Sequence, residues 1–340
     1  MRAYRLFAPG QAEIVEIDVP RPGPGEIQLL VTATGVCHSD VFIRDALPAL
    51  RMTFPVTLGH EVVGTVTETG EGVTRWRPGQ QVAAYTMRGC GRCGPCAQGR
   101  DNFCHDRYLG LGTHFDGGMA DYMVIPADAV ADASGLDPVA AAPLTDAALT
   151  ALHAVNSVRI DAGPPRRTLV IGVGGLGHLA VQIVAHRFGG EIVAVDRNAQ
   201  RLALAGKLGA HHTLLADGTE VERTLDLAGG REIDAVLDFV GTDDTLRTAA
   251  AVTNRGAQIV VPGLGQGTIP FEAKSVSTVV PEVSLIRTSG GSRHELTEAL
   301  ALGRDGVLHA ETVTYPLDHA EQAVDDVAAG TVLGRAVLVP

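Results

Sequence analysis

From Thr168 onward, short apolar runs alternate with helical stretches, and this alternation leaves few folds open. TLVIGVG leads into GLGHLAVQIVAHRFG, EIVAVD into NAQRLALAGKLGA, and HHTLLA into a polar helix over 219–228. IDAVLDFVG, the helical TDDTLRTAAAVTNRG, AQIVVPGLG and a sixth strand in EVSLIRTSG continue the series. Strands that alternate with helices predict βαβ units and one parallel, doubly wound sheet. The tail, a helix in DHAEQAVDDVAAG and a strand in GRAVLVP, does not continue the alternation and could fold back onto the first part of the chain.

Before about residue 140 the texture differs. EIQLLVTATGV and HEVVGTVTETG lie between turn signals such as PRPGPGE and RPGQQ, and no helical period exceeds about two turns. A compact β-rich domain is expected there. At 340 residues the chain has room for two domains, each with its own core. A net charge of −12 argues against a nucleic-acid backbone or an anionic membrane as partner. MRAYRLFAPGQAEIVEID lacks the apolar centre of a signal peptide, and no apolar run reaches about 18 residues, so a soluble cytoplasmic protein is expected.

Between the first strand and helix of the alternating region stands Gly172-Val173-Gly174-Gly175-Leu176-Gly177, a G-x-G-x-x-G. Small residues let the backbone turn tightly and approach a pyrophosphate resting on the helix N-terminus. Asp196 ends the next strand nineteen residues past Gly177, near the spacing of a carboxylate that binds the adenosine ribose. An acid there favours NAD over NADP. Arg197 beside it softens the preference, since it could accept a 2′-phosphate.

The five cysteines are a poor disulfide framework, being odd in number, with four packed into fifteen residues. Cys90, Cys93, Cys96 and Cys104 form C-x2-C-x2-C-x7-C. Four thiolates close a tetrahedral zinc site with no open position, which suits a structural metal; an iron–sulfur cluster is the chemical rival. Cys37 is left over, in GVCHSD, and His60 follows in LGHE. One Cys and one His suit an open catalytic zinc that lacks a third ligand. AAAPLTDAALTALHAV, residues 140–155, sets Asp146 in an apolar run, where a carboxylate must be paired, hydrogen-bonded or bound to metal. Taken alone, the run favours Asp146 as the N-cap of the helix after it.

GVCHSD, LGHE, the four-cysteine loop, DGGMADY and the glycine fingerprint, in order across almost the whole chain, resemble the zinc-dependent medium-chain dehydrogenase/reductase family, the alcohol dehydrogenases. The resemblance implies an α/β protein. Its GroES-like β-rich catalytic domain, 1–148 and 288–340, is split around a Rossmann domain, 149–287. It implies two zincs per chain, one catalytic on Cys37, His60 and Asp146 and one structural on the four clustered cysteines. Asp146 falls where some branches have Cys and bacterial secondary alcohol dehydrogenases have Asp, which turns its reading from cap to ligand.

By the same resemblance, Glu61 is a transient or outer ligand and Asp40 hydrogen-bonds the zinc-bound His60. Ser39 starts a proton relay. Thr150 packs on the nicotinamide, Gly263 and Leu264 lie near the carboxamide, and Val240 lies on the adenine side. Arg335 reaches the pyrophosphate or is an ordinary surface arginine. Many members place a His five residues after the zinc Cys to end the relay at solvent; here that residue is Phe42. The relay is therefore shorter, or passes through His38, which elsewhere contacts the pyrophosphate.

Phe42, with Leu50, Met52 and Phe54, gives the substrate region an apolar look, and His114 and Phe115 are candidate pocket residues. Ser289-Gly290-Gly291-Ser292-Arg293, small where some relatives carry an aromatic, implies a roomier pocket. The expected activity is hydride transfer between NAD(H) and a small secondary or apolar alcohol, ketone or aldehyde. A polyol or amino-alcohol dehydrogenase of the same family is the near alternative, and a non-catalytic NAD-binding redox sensor the distant one. The family implies a homodimer or homotetramer.

Overall fold

The computed structural model describes the chain except residues 46–51, 53, 107–108, 160–162, 231, 271 and 273–276. Leu50 lies outside the described residues. The chain divides into two compact units, Met1–Leu149 with Gly290–Pro340, and Thr150–Ser289.

The first unit runs through β1 (Arg2–Ala8), β2 (Gln11–Glu16), β3 (Glu26–Val36), α1 (His38–Arg44), β4 (Val56–Thr57), β5 (Glu61–Thr69), β6 (Gln81–Ala84) and β7 (Met87–Arg88). It continues with α2 (Gly94–Ala97), β8 (Leu109–Gly110), β9 (Tyr122–Pro126), β10 (Val130–Asp132) and α3 (Pro138–Ala141). The division between the units falls inside α4 (Ala147–Asn156).

The second unit is β11 (Arg167–Ile171), α5 (Gly177–Phe188), β12 (Glu191–Asp196), α6 (Ala199–Lys207), β13 (His212–Leu215), α7 (Glu220–Ala228), β14 (Ile233–Asp238), α8 (Asp243–Val252), β15 (Thr253–Val261) and β16 (Ser284–Arg287). The chain then returns to the first unit with α9 (Arg293–Arg304), β17 (Thr312–Pro316), α10 (Ala320–Ala328) and β18 (Arg335–Val339).

In the second unit the strands pair in the order β13-β12-β11-β14-β15-β16, all parallel. The order reverses at β11, between β12 and β14, and such a switch point is where a doubly wound sheet binds its ligand, at the carboxyl ends of the strands. β11 and β12 bury nearly every residue, as parallel strands covered on both faces must, and Leu169, Ile171, Val193, Val236 and Ile259 form the core with α8 residues Leu246 and Ala249.

In the first unit one sheet runs β10-β6-β5-β3-β18-β17, and β9 pairs with β3 as well. Long β3 serves three neighbours: β5 along most of its length, β9 at Glu26–Leu30 and β18 at Thr34–Val36. The returning β18 therefore lies directly beside the segment that precedes Cys37. The sequence stretch 289–293 is engaged rather than open. Tyr85 donates its hydroxyl to the Gly291 carbonyl at 2.6 Å, a Cβ at Gly291 would meet Leu149 Cδ1 at 2.6 Å, and Ser292 caps α9. That smallness serves packing within the first unit, which corrects the expectation of a roomier pocket from it. Among the described residues, no helix is long and apolar enough to cross a membrane.

Candidate functional site

The end of β3, the start of β5 and the joint before α4 bring four side chains together. Ligand atoms of Cys37, His60, Glu61 and Asp146 all lie within 4.8 Å of one another. Cys37 is the N-cap of α1, and its N–H donates to Asp40 Oδ2 at 2.8 Å. The other Asp40 oxygen lies 3.2 Å from His60 Nδ1, which leaves Nε2 to face Asp146 Oδ2 at 3.5 Å. Asp40, fully buried, thus fastens the loop of Cys37 and faces the ring of His60.

Asp146 sits between a 3-10 turn, Ala142–Thr145, and α4, with φ −134° and ψ −56°. That break in the helical backbone aims its carboxylate at His60. Its Oδ2 also lies 3.6 Å from an Arg335 nitrogen.

Arg335 is only 4% exposed, so it is not a surface arginine. Its Nε donates to Glu61 Oε2 at 3.1 Å and its second terminal nitrogen to Glu61 Oε1, a forked pair between two buried groups. This pairing was not anticipated from the sequence. The signals that could have raised it were an arginine inside the apolar strand GRAVLVP and a glutamate next to a ligand histidine.

The residues fit a divalent cation on their own chemistry. Burial alone would keep His60 neutral, yet Asp40, Asp146 and Cys37 push its pKa well above the usual histidine value. Burial opposes ionisation of Asp146, but His60 and Arg335 hold its carboxyl well below the ordinary range. Burial pushes Glu61 up to about 7 against the pull of Arg335. A buried set of anionic donors that would draw a proton onto an imidazole is equally suited to a metal ion. With Glu61 matched by Arg335, the Cys37 thiolate and the Asp146 carboxylate balance two positive charges.

Cys90, Cys93, Cys96 and Cys104 form the second cluster, their sulfurs also within 4.8 Å of one another. Cys93 and Cys104 sulfurs are 3.9 Å apart. One tetrahedral ion with bonds of about 2.3 Å separates its thiolates by about 3.8 Å. A multi-iron cluster would hold them farther apart. The backbone N–H groups of Cys90 and Cys93 point at Cys104 and Cys90 sulfurs, each at 3.3 Å. Buried Asp101, just before Cys104, accepts from Arg293 of α9 at 2.5 Å and ties this loop to the rest of the unit.

In the second unit the glycine loop has the shape of an anion cradle. Gly172 has φ +82°, and a Cβ there would meet Val240 Cγ2 at 2.5 Å, while one at Gly177 would strike the Gly172 carbonyl. At Gly174 the nearest neighbour of a Cβ would be an Arg201 nitrogen at 3.6 Å, so the approach to the loop backbone is open. Gly175 and Leu176 complete the turn, with Leu176 capping α5. Asp196 Oδ2 accepts from Val173 N and Oδ1 from Asn198 N, each at 2.8 Å, so the carboxylate also fastens the loop to β12. Arg197 is exposed and Thr150 buried. Gly263 N–H donates to the Asp238 carbonyl, a Cβ at Gly263 would meet Val240 N at 2.6 Å, and Leu264 is 45% exposed.

The remaining candidates divide. Ser39 Oγ lies 3.4 Å from Cys37 Sγ. His38 meets Phe42 edge-on with ring centroids 5.2 Å apart. Met52 packs on the apolar cluster of Tyr4, Leu6, Val41 and Leu58. His114 and Phe115 have other partners: His114 Nδ1 accepts from Gly110 N at 3.3 Å, and Phe115 packs on the core around Leu29 and Val62 with Arg88 over its ring. Both are partly buried, and these contacts hold them within the first unit.

Comparison with known proteins covers the same two regions. The family model described as alcohol dehydrogenase GroES-like domain matches residues 23–135, and that described as zinc-binding dehydrogenase matches residues 175–304. An NAD-dependent alcohol dehydrogenase of Sulfurisphaera tokodaii is 31% identical over 352 residues, covering 100% of each chain. Among solved structures, an alcohol dehydrogenase from the archaeon Aeropyrum pernix matches with a TM-score of 0.92 and 31% identity, covering 100% of each chain. An acetophenone reductase from Geotrichum candidum in complex with NAD matches with a TM-score of 0.86 and 28% identity, over 100% of this chain and 97% of that one.

Proposed function

Because the chain belongs to the zinc-dependent medium-chain alcohol dehydrogenase family, we propose that it interconverts small apolar secondary alcohols and their ketones with NAD, using two zincs per chain. The observation that carries this reading is the convergence of Cys37, His60 and Asp146, with Glu61 turned onto Arg335. A zinc held by Cys37, His60 and Asp146 supplies Lewis acidity that acidifies an alcohol or polarises a carbonyl, and NAD supplies the hydride acceptor.

This chain's residues do the rest. Asp40 fixes the His60 ring, so that Nε2 is the ligand atom. Ser39 Oγ, beside the Cys37 sulfur, takes the proton released by the alcohol. With Phe42 in place of a relay histidine, the relay is either shorter or passes through His38, whose pKa is lowered by burial and by Arg335. Phe42, an apolar ring in place of the relay histidine, favours apolar substrates over polyols or amino alcohols. The Asp196 carboxylate receives the adenosine ribose and repels a 2′-phosphate, which supports NAD over NADP. Five cysteines arranged for metal rather than for disulfides support a cytoplasmic enzyme, and the family supports a homodimer or homotetramer.

A screen of primary, secondary, aromatic and polyol alcohols with NAD+ and NADP+, and of the matching carbonyls with NADH and NADPH, tests the reading. The expected result is oxidation of apolar secondary alcohols with NAD+ and reduction of the matching ketones with NADH. Strict need for a neighbouring hydroxyl or amine would favour the polyol or amino-alcohol reading. No turnover on any substrate would favour a non-catalytic sensor.

A further inference from the structure

Glu61 can reach two places. Its carboxylate is bound by Arg335, yet one of its oxygens also lies within 4.8 Å of ligand atoms of Cys37, His60 and Asp146. On Arg335 it leaves three protein donors for the metal; on the metal it makes four and closes the position a substrate needs. What keeps it on the arginine is therefore a functional question.

The sheet answers it. Gly35 of β3 pairs directly with Glu61 of β5 on one side and with Val337 of β18 on the other. Directly paired residues share a sheet face, and Arg335, two residues before Val337, lies on that face too. Any side chain at position 35 would stand between Glu61 and Arg335. A Cβ there would overlap Glu61 Oε2 and lie 2.9 Å from both Cδ and Cβ of Glu61. The carboxylate occupies the volume that every residue but glycine would fill.

We propose that Gly35 is a positioning residue: by having no side chain, it seats the Glu61 carboxylate on Arg335 and so keeps the fourth metal position open. The proposal rests on the zinc reading of Cys37, His60 and Asp146. Gly35→Ala removes the seat and drives the carboxylate toward the metal donors. Arg335→Lys, which keeps the charge but loses the fork, loosens the same carboxylate from the opposite side.

The test replaces zinc by cobalt in the full-length protein and follows the visible spectrum while imidazole is added as a neutral ligand for the open position. The closed four-cysteine site gives no imidazole response. Wild type is expected to show a saturable shift. Gly35→Ala and Arg335→Lys are expected to bind imidazole about tenfold more weakly. Adding Glu61→Gln to Gly35→Ala is expected to restore binding, a rescue that mere damage to the sheet would not show. Imidazole affinity within about twofold of wild type in both single variants overturns the proposal, as does failure of the rescue. If Gly35→Ala does not fold, Arg335→Lys decides alone. Uptake of one metal per chain by wild type overturns the zinc reading itself, and the proposal with it.

Discussion

Asp40 touches two candidate metal ligands at once: one oxygen accepts the Cys37 backbone N–H at 2.8 Å, and the other stands 3.2 Å from His60 Nδ1. A carboxylate so placed holds the loop of the cysteine and sets a negative charge against Nδ1 of the histidine. Asp40→Ala is expected to weaken zinc at the Cys37 site by roughly 10–100-fold while the four-cysteine zinc stays. Competition with a chelator, followed by metal analysis, reads this. Equal loss from both sites would show general unfolding instead.

Asp146 separates two roles that the sequence leaves together. Its backbone breaks the helix before α4, and its carboxylate faces His60 at 3.5 Å. Asp146→Ala is expected to leave one zinc per chain and to remove nearly all hydride transfer. Two zincs and normal turnover would mean that a helix cap is its whole function.

The Rossmann unit was legible because its signals are local. Strand–helix alternation, the glycine turn and the acid after β12 lie within one stretch of chain, and each depends on neighbours a few residues away. The two clusters of candidate metal ligands could be picked out as residue types with fixed spacing, and the fold brings the members of each together. Less visible was whatever depends on partners far apart in sequence. Glu61 and Arg335 are separated by 274 residues and meet only because β18 returns beside β3. Gly35 carries no local signal of its own, since its meaning lies in the carboxylate across the sheet. The packing of Phe115 was hidden for the same reason: its ring lies against a core assembled from β3 and β5, which a short motif does not reveal.

The two oxygens of Asp196 accept from Val173 N and Asn198 N and so fasten the glycine loop to β12. Asp196→Ser is expected to raise KM for NAD about tenfold and to narrow the gap between NAD and NADP. Steady-state kinetics with both cofactors decides it. An unchanged NAD-to-NADP ratio would remove Asp196 from cofactor choice.

Glu191 gives a pH signature to the sheet. Hydrogen bonds from Arg167 and then His212 hold its carboxyl below its ordinary value of 4.5, linking β11, β12 and β13 at one end. A depressed folded pKa means stability that is complete above the unfolded value and lost as pH falls through the folded one. The pair is partly solvated, so its share is about 0.5–1 kcal/mol. Glu191→Gln is expected to lower stability by that amount near pH 7. The deficit should shrink below about pH 4.5 and vanish once wild-type Glu191 is protonated in both states. Urea melts of both proteins across this range, followed by a probe in the second unit, measure it. A deficit that persists at the acid end would assign the effect to packing rather than to charge.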